Sequence, residues 1–205
     1  MESELNMDCF ICKEEKSLVM LSRVDEIPYF GEHTQVTVKC NSCGWRQTDF
    51  IPAEGKKSGL CSIVIDNAEF LSTRVVRSSS CTIKIPELDL EVYPGSDSTG
   101  FVSNIEGVLN RFDGIVNMVL KQLMREEDVD PNSLAECIRI KEKLASWIRG
   151  EISENFTIEF YDPRGHSQIL HENTTQRELT QKELDELPTG TPAPVISNDE
   201  IDHKN

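Results

Sequence analysis

Four cysteines carry the most specific chemistry in the sequence. Cys9 and Cys12 form one C-x-x-C pair and Cys40 and Cys43 a second, with 27 residues between the pairs. A C-x-x-C turn points two sulfurs at one metal ion, and two such turns complete a tetrahedral tetrathiolate with metal–sulfur distances of about 2.3 Å. The expected cofactor is one structural zinc ion. Four protein thiolates leave no coordination position for water or substrate, so the ion holds structure and does not catalyse. A redox dithiol explains one pair, but not two in a short segment with no βαβ pattern around either. Gly44, directly after Cys43, suits a knuckle that needs positive φ. His33 lies between the pairs and reads as a solvated hairpin-tip residue. Cys61, Cys81 and Cys137 have apolar neighbours and read as small core hydrophobes.

Elsewhere the chemistry thins out, and no catalytic residue is assigned. Asp162, His166 and His171 lie close together, as a metal-dependent enzyme site of two histidines and a carboxylate would need. They fall in a predicted turn, however, with no His-x-His or His-x-Asp pair on a strand. No Gly-x-Ser-x-Gly elbow and no P-loop occurs.

The elements that position these residues follow from periodicity. Ser17–Arg23 and Thr34–Lys39 have strand composition, with Pro28 and Gly31 between them, so a hairpin should link the two knuckles. Thr48–Ser58 reads as a connector. Leu60–Ile65, Arg74–Arg77 and Thr82–Val92 read as strands, the last with a change of parity at Pro86 that a bulge would absorb. Phe101, Ile105, Val108, Leu109, Phe112, Ile115, Val116, Val119, Leu120 and Leu123 then recur at three- and four-residue steps, the stripe of an amphipathic helix. A capping box at Ser103 and Glu106 should start it, and Gly107 and Gly114 within it suggest close packing of another element. After Asp130-Pro131, a second box at Ser133 and Glu136 should open a second helix, closed by Arg149-Gly150. Phe156–Tyr161 and Gln168–Leu170 return to strand, around a turn at Asp162-Pro163-Arg164-Gly165.

Charge narrows the partners. The chain has 205 residues, 36 acids against 21 bases and a formal charge of −15. Nucleic acid and anionic membrane are therefore not expected partners, because binding to either draws on clustered Lys and Arg. The first 50 residues alone hold nine acids and five bases, which argues against a ribosome- or transcription-associated ribbon. The acidic start Met1-Glu2-Ser3-Glu4 and the lack of a long apolar run suggest a cytoplasmic protein with reduced thiols.

Seven motifs occur in order: Cys9-x-x-Cys12, Ile27-Pro28-Tyr29-Phe30, Cys40-x-x-Cys43-Gly44-Trp45, Arg74-Val75-Val76-Arg77-Ser78, Ile85-Pro86-Glu87-Leu88, Asn104-Ile105-Glu106-Gly107-Val108-Leu109 and Asp162-Pro163-x-Gly165-x-Ser167. From Cys9 to about Leu170 this pattern resembles the ZPR1-type zinc-finger family in its single-module, archaeal-type form. His166 stands where that family usually has Asn, and Tyr161 replaces an acid. The resemblance implies a zinc ribbon followed by a double-stranded β-helix, or jelly-roll-like, domain with an inserted helical hairpin. In these terms residues 1–52 form the ribbon, 53–100 and 151–182 the β-domain, 101–150 the hairpin, and 183–205 a disordered acidic tail. The resemblance also implies binding to translation elongation factor 1-alpha and help with its folding or handling. Ile27, Pro28, Tyr29 and Phe30 are the expected contact, although the same four residues would serve equally to pack the ribbon on its own second domain. The alternatives are the metal-dependent enzyme and the ribosome- or transcription-associated ribbon.

Overall fold

In the computed structural model, which describes residues 2–28, 30–53, 57–95, 98–126, 128–188 and 201–202, long strands dominate the N-terminal part. β1 is Glu2–Leu5, β2 Leu18–Ile27, β3 Gly31–Cys40 and β4 Arg46–Pro52. They pair antiparallel in the order β1-β2-β3-β4, and Ile201–Asp202 adds a short strand outside β1. β2 and β3 are longer than composition suggested, because pairing with both neighbours extends β3 over residues with weak strand preference of their own. β4 likewise takes up Thr48–Pro52, the start of the expected connector. This sheet has a small core of Leu5, Leu18, Val38 and Trp45 around Cys9 and Cys40, with Phe10 edge-on to Trp45 at 4.4 Å.

The second part holds two further antiparallel sheets, neither closed into a barrel. β5 (Gly59–Ile65), β6 (Arg74–Arg77), β7 (Thr82–Ile85), β8 (Leu90–Val92) and β9 (Phe101–Asn104) precede the helices. β10 (Phe156–Asp162), β11 (Gln168–Leu170) and β12 (Thr175–Glu178) follow them. The sheet orders are β12-β5-β10-β7-β8 and β11-β6-β9. The parity change at Pro86 is not a bulge. Pro86–Leu88 is a 3-10 turn that folds β8 back on β7, so Ile83 faces Val92 and Ile85 faces Leu90 across a hairpin. Proline's fixed φ and the left-handed Asp89 (φ 50°) make that turn tight.

Helices α1 (Ile105–Leu123) and α2 (Pro131–Ile148) form the expected hairpin. Both starts differ from the expected capping boxes. Asn104 caps α1 by accepting from the Gly107 N–H, which leaves Ser103 and Phe101 in β9. Asp130 caps α2 by accepting from Asn132 and Ser133, with Pro131 at the first helical position, where its missing N–H costs nothing. Gly107 is closely packed, since a Cβ there would lie 2.1 Å from Ser103 Oγ. Gly114 is not, and faces open space. The core of this part joins both layers, with Trp147 of α2 stacked on Phe156 of β10 at 3.9 Å. Cys61, Cys81 and Cys137 are buried in it. The tail expected from residue 183 does not begin there. α3 (Gln181–Glu186) has a Thr180–Glu183 capping box, and Leu187 is buried against Leu60 and Leu179. Residues 189–200 and 203–205 of that expected tail lie outside the described residues.

Candidate metal centre

The two C-x-x-C segments fold as near copies of each other. In the first, the Lys13 N–H donates to Cys9 O and the Cys9 N–H to Glu14 O; in the second, Gly44 N–H donates to Cys40 O and Cys40 N–H to Trp45 O. In both, the residue after the second cysteine is left-handed, Lys13 at φ 63° and Gly44 at φ 76°. Sequence pointed to this at Gly44 alone, because lysine carries no signal for it. A lysine in that conformation is strained by about 1 kcal/mol, which glycine avoids. Lys13→Gly is therefore expected to raise the melting temperature of the metal-loaded protein by about 2–3 °C, and Gly44→Ala to lower it by a similar amount. Calorimetry of the two variants checks both signs.

The hairpin of β2 and β3 brings the knuckles together. The four sulfurs lie within 4.8 Å of one another. Cys9 Sγ is 3.9 Å from Cys43 Sγ, and Cys12 Sγ is 3.7 Å from Cys40 Sγ. A tetrahedron with metal–sulfur bonds of about 2.3 Å has edges of about 3.8 Å, so the residues present fit a tetrathiolate-bound ion. The backbone N–H groups of Ser42 and Cys43 both donate to Cys40 Sγ at 3.4 Å, and Ser17 Oγ lies 3.3 Å from it. The Ser17 hydroxyl and then these N–H groups pull the Cys40 thiol down to about 6. Cys43 is pushed up to about 11: the Trp45 N–H favours its thiolate, but burial and the three neighbouring sulfurs outweigh that donor. An incoming metal ion must displace thiol protons from the cluster, so affinity for the ion rises with pH.

The remaining candidate residues fall elsewhere. Ile27, Pro28 and Phe30 sit at the β2–β3 turn, about one sheet length from the sulfurs, whereas Tyr29 lies outside the described residues. Ile27 and Phe30 are half-buried, and Pro28 is exposed. With Ser72, Arg74 and Val102 they line a groove of about 350 Å³, so the turn does face the protein's own second part. His33 is not solvated. It is 1% exposed on β3, with Nδ1 3.0 Å from Gly31 O and Nε2 without a partner. His166 of the second part comes near enough to His33 for their charges to interact, a proximity that local sequence does not encode.

Asp162, His166 and His171 do not assemble as ligands. β10 buries Phe156, Ile158 and Phe160, and the same alternation carries Asp162 inward to 1% exposure. Its carboxylate accepts from Ser78 Oγ, Ser80 Oγ, Ser167 Oγ and the N–H groups of Ser167 and Arg164, at 2.7–2.9 Å. His171 instead packs against Phe70, 4.5 Å between rings. Among the described residues, the four cysteines are the one cluster that could hold a metal ion.

A parallel alternation on β4 buries Gln47 and Asp49. Asp49 accepts from the Ser79 N–H and hydroxyl at 2.9 and 2.7 Å and pairs with Arg164 at 3.4 Å, while Gln47 Nε2 donates to Ser98 O. Polar groups thus bind the cysteine-bearing sheet to the second part. This seam was missed in the sequence; three consecutive serines, Ser78–Ser80, are its weak signal.

Comparison with known proteins agrees with this two-part structure. The model of the ZPR1 jelly-roll domain matches residues 69–188. The chain belongs to the ZPR1 family. It is 36% identical over 190 residues to a ZPR1-like protein of Methanocaldococcus jannaschii, covering 93% of this chain and 92% of that one. A ZPR1-like protein of Pyrococcus horikoshii is also 36% identical, over 95% of this chain and 85% of its own. Eukaryotic ZPR1 proteins are longer: the zinc finger chaperone of Schizosaccharomyces pombe is 28% identical over 70% of this chain but only 31% of its own length. The ZPR1 chain described here therefore matches the single-module form. No described helix is long and apolar enough to cross a membrane.

Proposed function

We propose that this ZPR1-type chain is a zinc-stabilised protein-interaction module that binds translation elongation factor 1-alpha and assists its folding or handling. The observation that carries the reading is family membership over nearly the whole chain, together with a fission yeast relative named a chaperone. Zinc is the ion because four thiolates in a tetrahedral arrangement suit it, and the fully sulfur-bound ion serves structure. The elongation factor rests on the family resemblance carried by the seven motifs. The protein's acidity suits a basic face on such a partner.

The β2–β3 turn is the proposed contact. Its exposed Pro28 and half-buried Ile27 and Phe30 offer an apolar edge held rigid by ten-residue strands. Phe30→Ser is expected to weaken capture of purified elongation factor 1-alpha at least about tenfold, with the melting temperature within a few degrees of the parent. A large fall in melting temperature would instead assign Phe30 to packing against the second part. If metal-loaded intact protein captures no elongation factor, the partner is wrong while the architecture stands.

A further inference from the structure

A groove of about 680 Å³ runs along α1, opposite the β7–β8 hairpin and the start of β9. That size is typical of pockets for small ligands. Ile83 and Val92 line one wall, Phe112 and Ile115 the other, and Met118 stands at the rim with 64% of its surface exposed. Gly114 opens the helix side further, since nothing lies within 4 Å of where its Cβ would be.

Two guanidinium groups mark one end of this apolar trough. Arg111 lies 4.0 Å over the Phe101 ring, and Arg77 reaches the same ring at 5.9 Å. Arg77 is only 6% exposed, and its partners are all neutral: Ser98 Oγ, Thr99 O and Cys81 O. Its Nε has no partner at all. Among the described residues, no acidic residue lines the groove and neither arginine forms an ion pair. In a chain of net charge −15, two cations with no ion-paired carboxylate among the described residues form a local inversion of charge. The Asp162 and Asp49 carboxylates act on buried Arg77 only from beyond ion-pair distance, and an incoming anion adds a direct partner at the groove.

We infer that the groove binds a small amphipathic anion, its carboxylate held by Arg111 in the field of Arg77 and its alkyl or aryl body lying along Phe101, Ile115 and Met118. Guanidinium matches carboxylate geometry, and the apolar walls add affinity in proportion to the body they cover. The site is separate from the cysteine cluster and from the β2–β3 turn, and it stands or falls independently of the proposed partner.

Calorimetric titration of the full metal-loaded chain with decanoate, below its micelle-forming concentration, tests the inference. Decanoate is expected to bind once per chain and at least about tenfold more tightly than decanol, which has the same body without the charge. Inorganic phosphate, a head without a body, should not bind measurably. Arg111→Gln should weaken decanoate binding about tenfold. Gly114→Phe should abolish it by filling the groove, with metal content unchanged and the melting temperature unchanged or raised, because glycine is a poor helix residue. Equal affinity for decanol, or decanoate binding retained in Gly114→Phe, would overturn the site. A tetrapeptide with a C-terminal phenylalanine binding in place of decanoate would overturn the small-molecule assignment and make the groove a reader of polypeptide C-termini.

Discussion

Cys40→Ser is expected to empty the metal centre and unfold the N-terminal sheet while the second part stays folded. Cys40 is buried, with two backbone donors and the Ser17 hydroxyl around its sulfur. A serine hydroxyl neither replaces a thiolate as a ligand nor fills its volume. Apart from the polar seam at Gln47 and Asp49, the sheet has only a small core of its own: Leu5, Leu18, Val38 and Trp45 beside the cysteines, with Met7, Phe10 and Met20 partly buried around them. Some fifty residues with so few core side chains make a marginal unit, and a bound ion at a four-thiolate site is worth about 10–16 kcal/mol of apparent binding energy where zinc fills such sites. Amide exchange should lose protection throughout β2, β3 and β4. The stacked Trp147 and Phe156 should keep theirs, since they lie in the larger core. Chelation of the parent protein should reproduce the same pattern. Full protection of β2–β4 in a metal-free variant would show that the cysteines are not what holds that sheet.

Asp162→Ala is expected to be the most destabilising single change in the second part, by about 4–5 kcal/mol. The carboxylate gathers three hydroxyls and two backbone N–H groups in a site closed to water. The hydroxyls can turn to other acceptors, but the N–H groups of Arg164 and Ser167 cannot, and each orphaned buried donor costs about 1–3 kcal/mol. The melting temperature should fall by about 10–15 °C. Acid should act through the same group. Burial alone would push its proton affinity up, yet the hydrogen bonds from Ser167, Arg164 N–H, Ser78 and Ser80 outweigh burial and hold it below the ordinary carboxylate range. A depressed carboxylate stabilises the fold at pH above its unfolded-chain value, and that contribution disappears as pH falls through the folded value. Asp162→Asn should therefore be less stable than the parent at neutral pH and lose less further stability on acidification. Parallel acid limbs for the two proteins would refute this role.

What was legible in the sequence and what was not divides along range. The cysteine cluster could be read because a C-x-x-C turn is local and its chemistry admits few partners. The helical hairpin could be read because its apolar stripe persists over five turns. Helix starts slipped by one to three residues where Asn104 and Asp130 stood near equally eligible serines, and local preference could not rank them. The Pro86 parity change was visible, but a hairpin and a bulge give the same alternation. The seam of Asp49, Ser79 and Arg164 was invisible, because its members are 30 to 115 residues apart and each alone reads as loop or surface. His33 and Gly114 were misread for the same reason: their surroundings are set by distant chain.

The order of strands in the larger sheet also bears on how the chain is made. β5 has two neighbours, β10 and β12, and both lie beyond the helical hairpin in sequence. Between Ile65 and Phe156 a ribosome adding roughly 5–20 residues per second needs about 5–20 s. The cysteine-bearing sheet is built mainly from contiguous strands and can close within that interval. β5, with Leu60, Ile63 and Ile65, must wait unpaired until its partners emerge, which makes the nascent chain of this protein itself a client for whatever holds apolar strands in the cell.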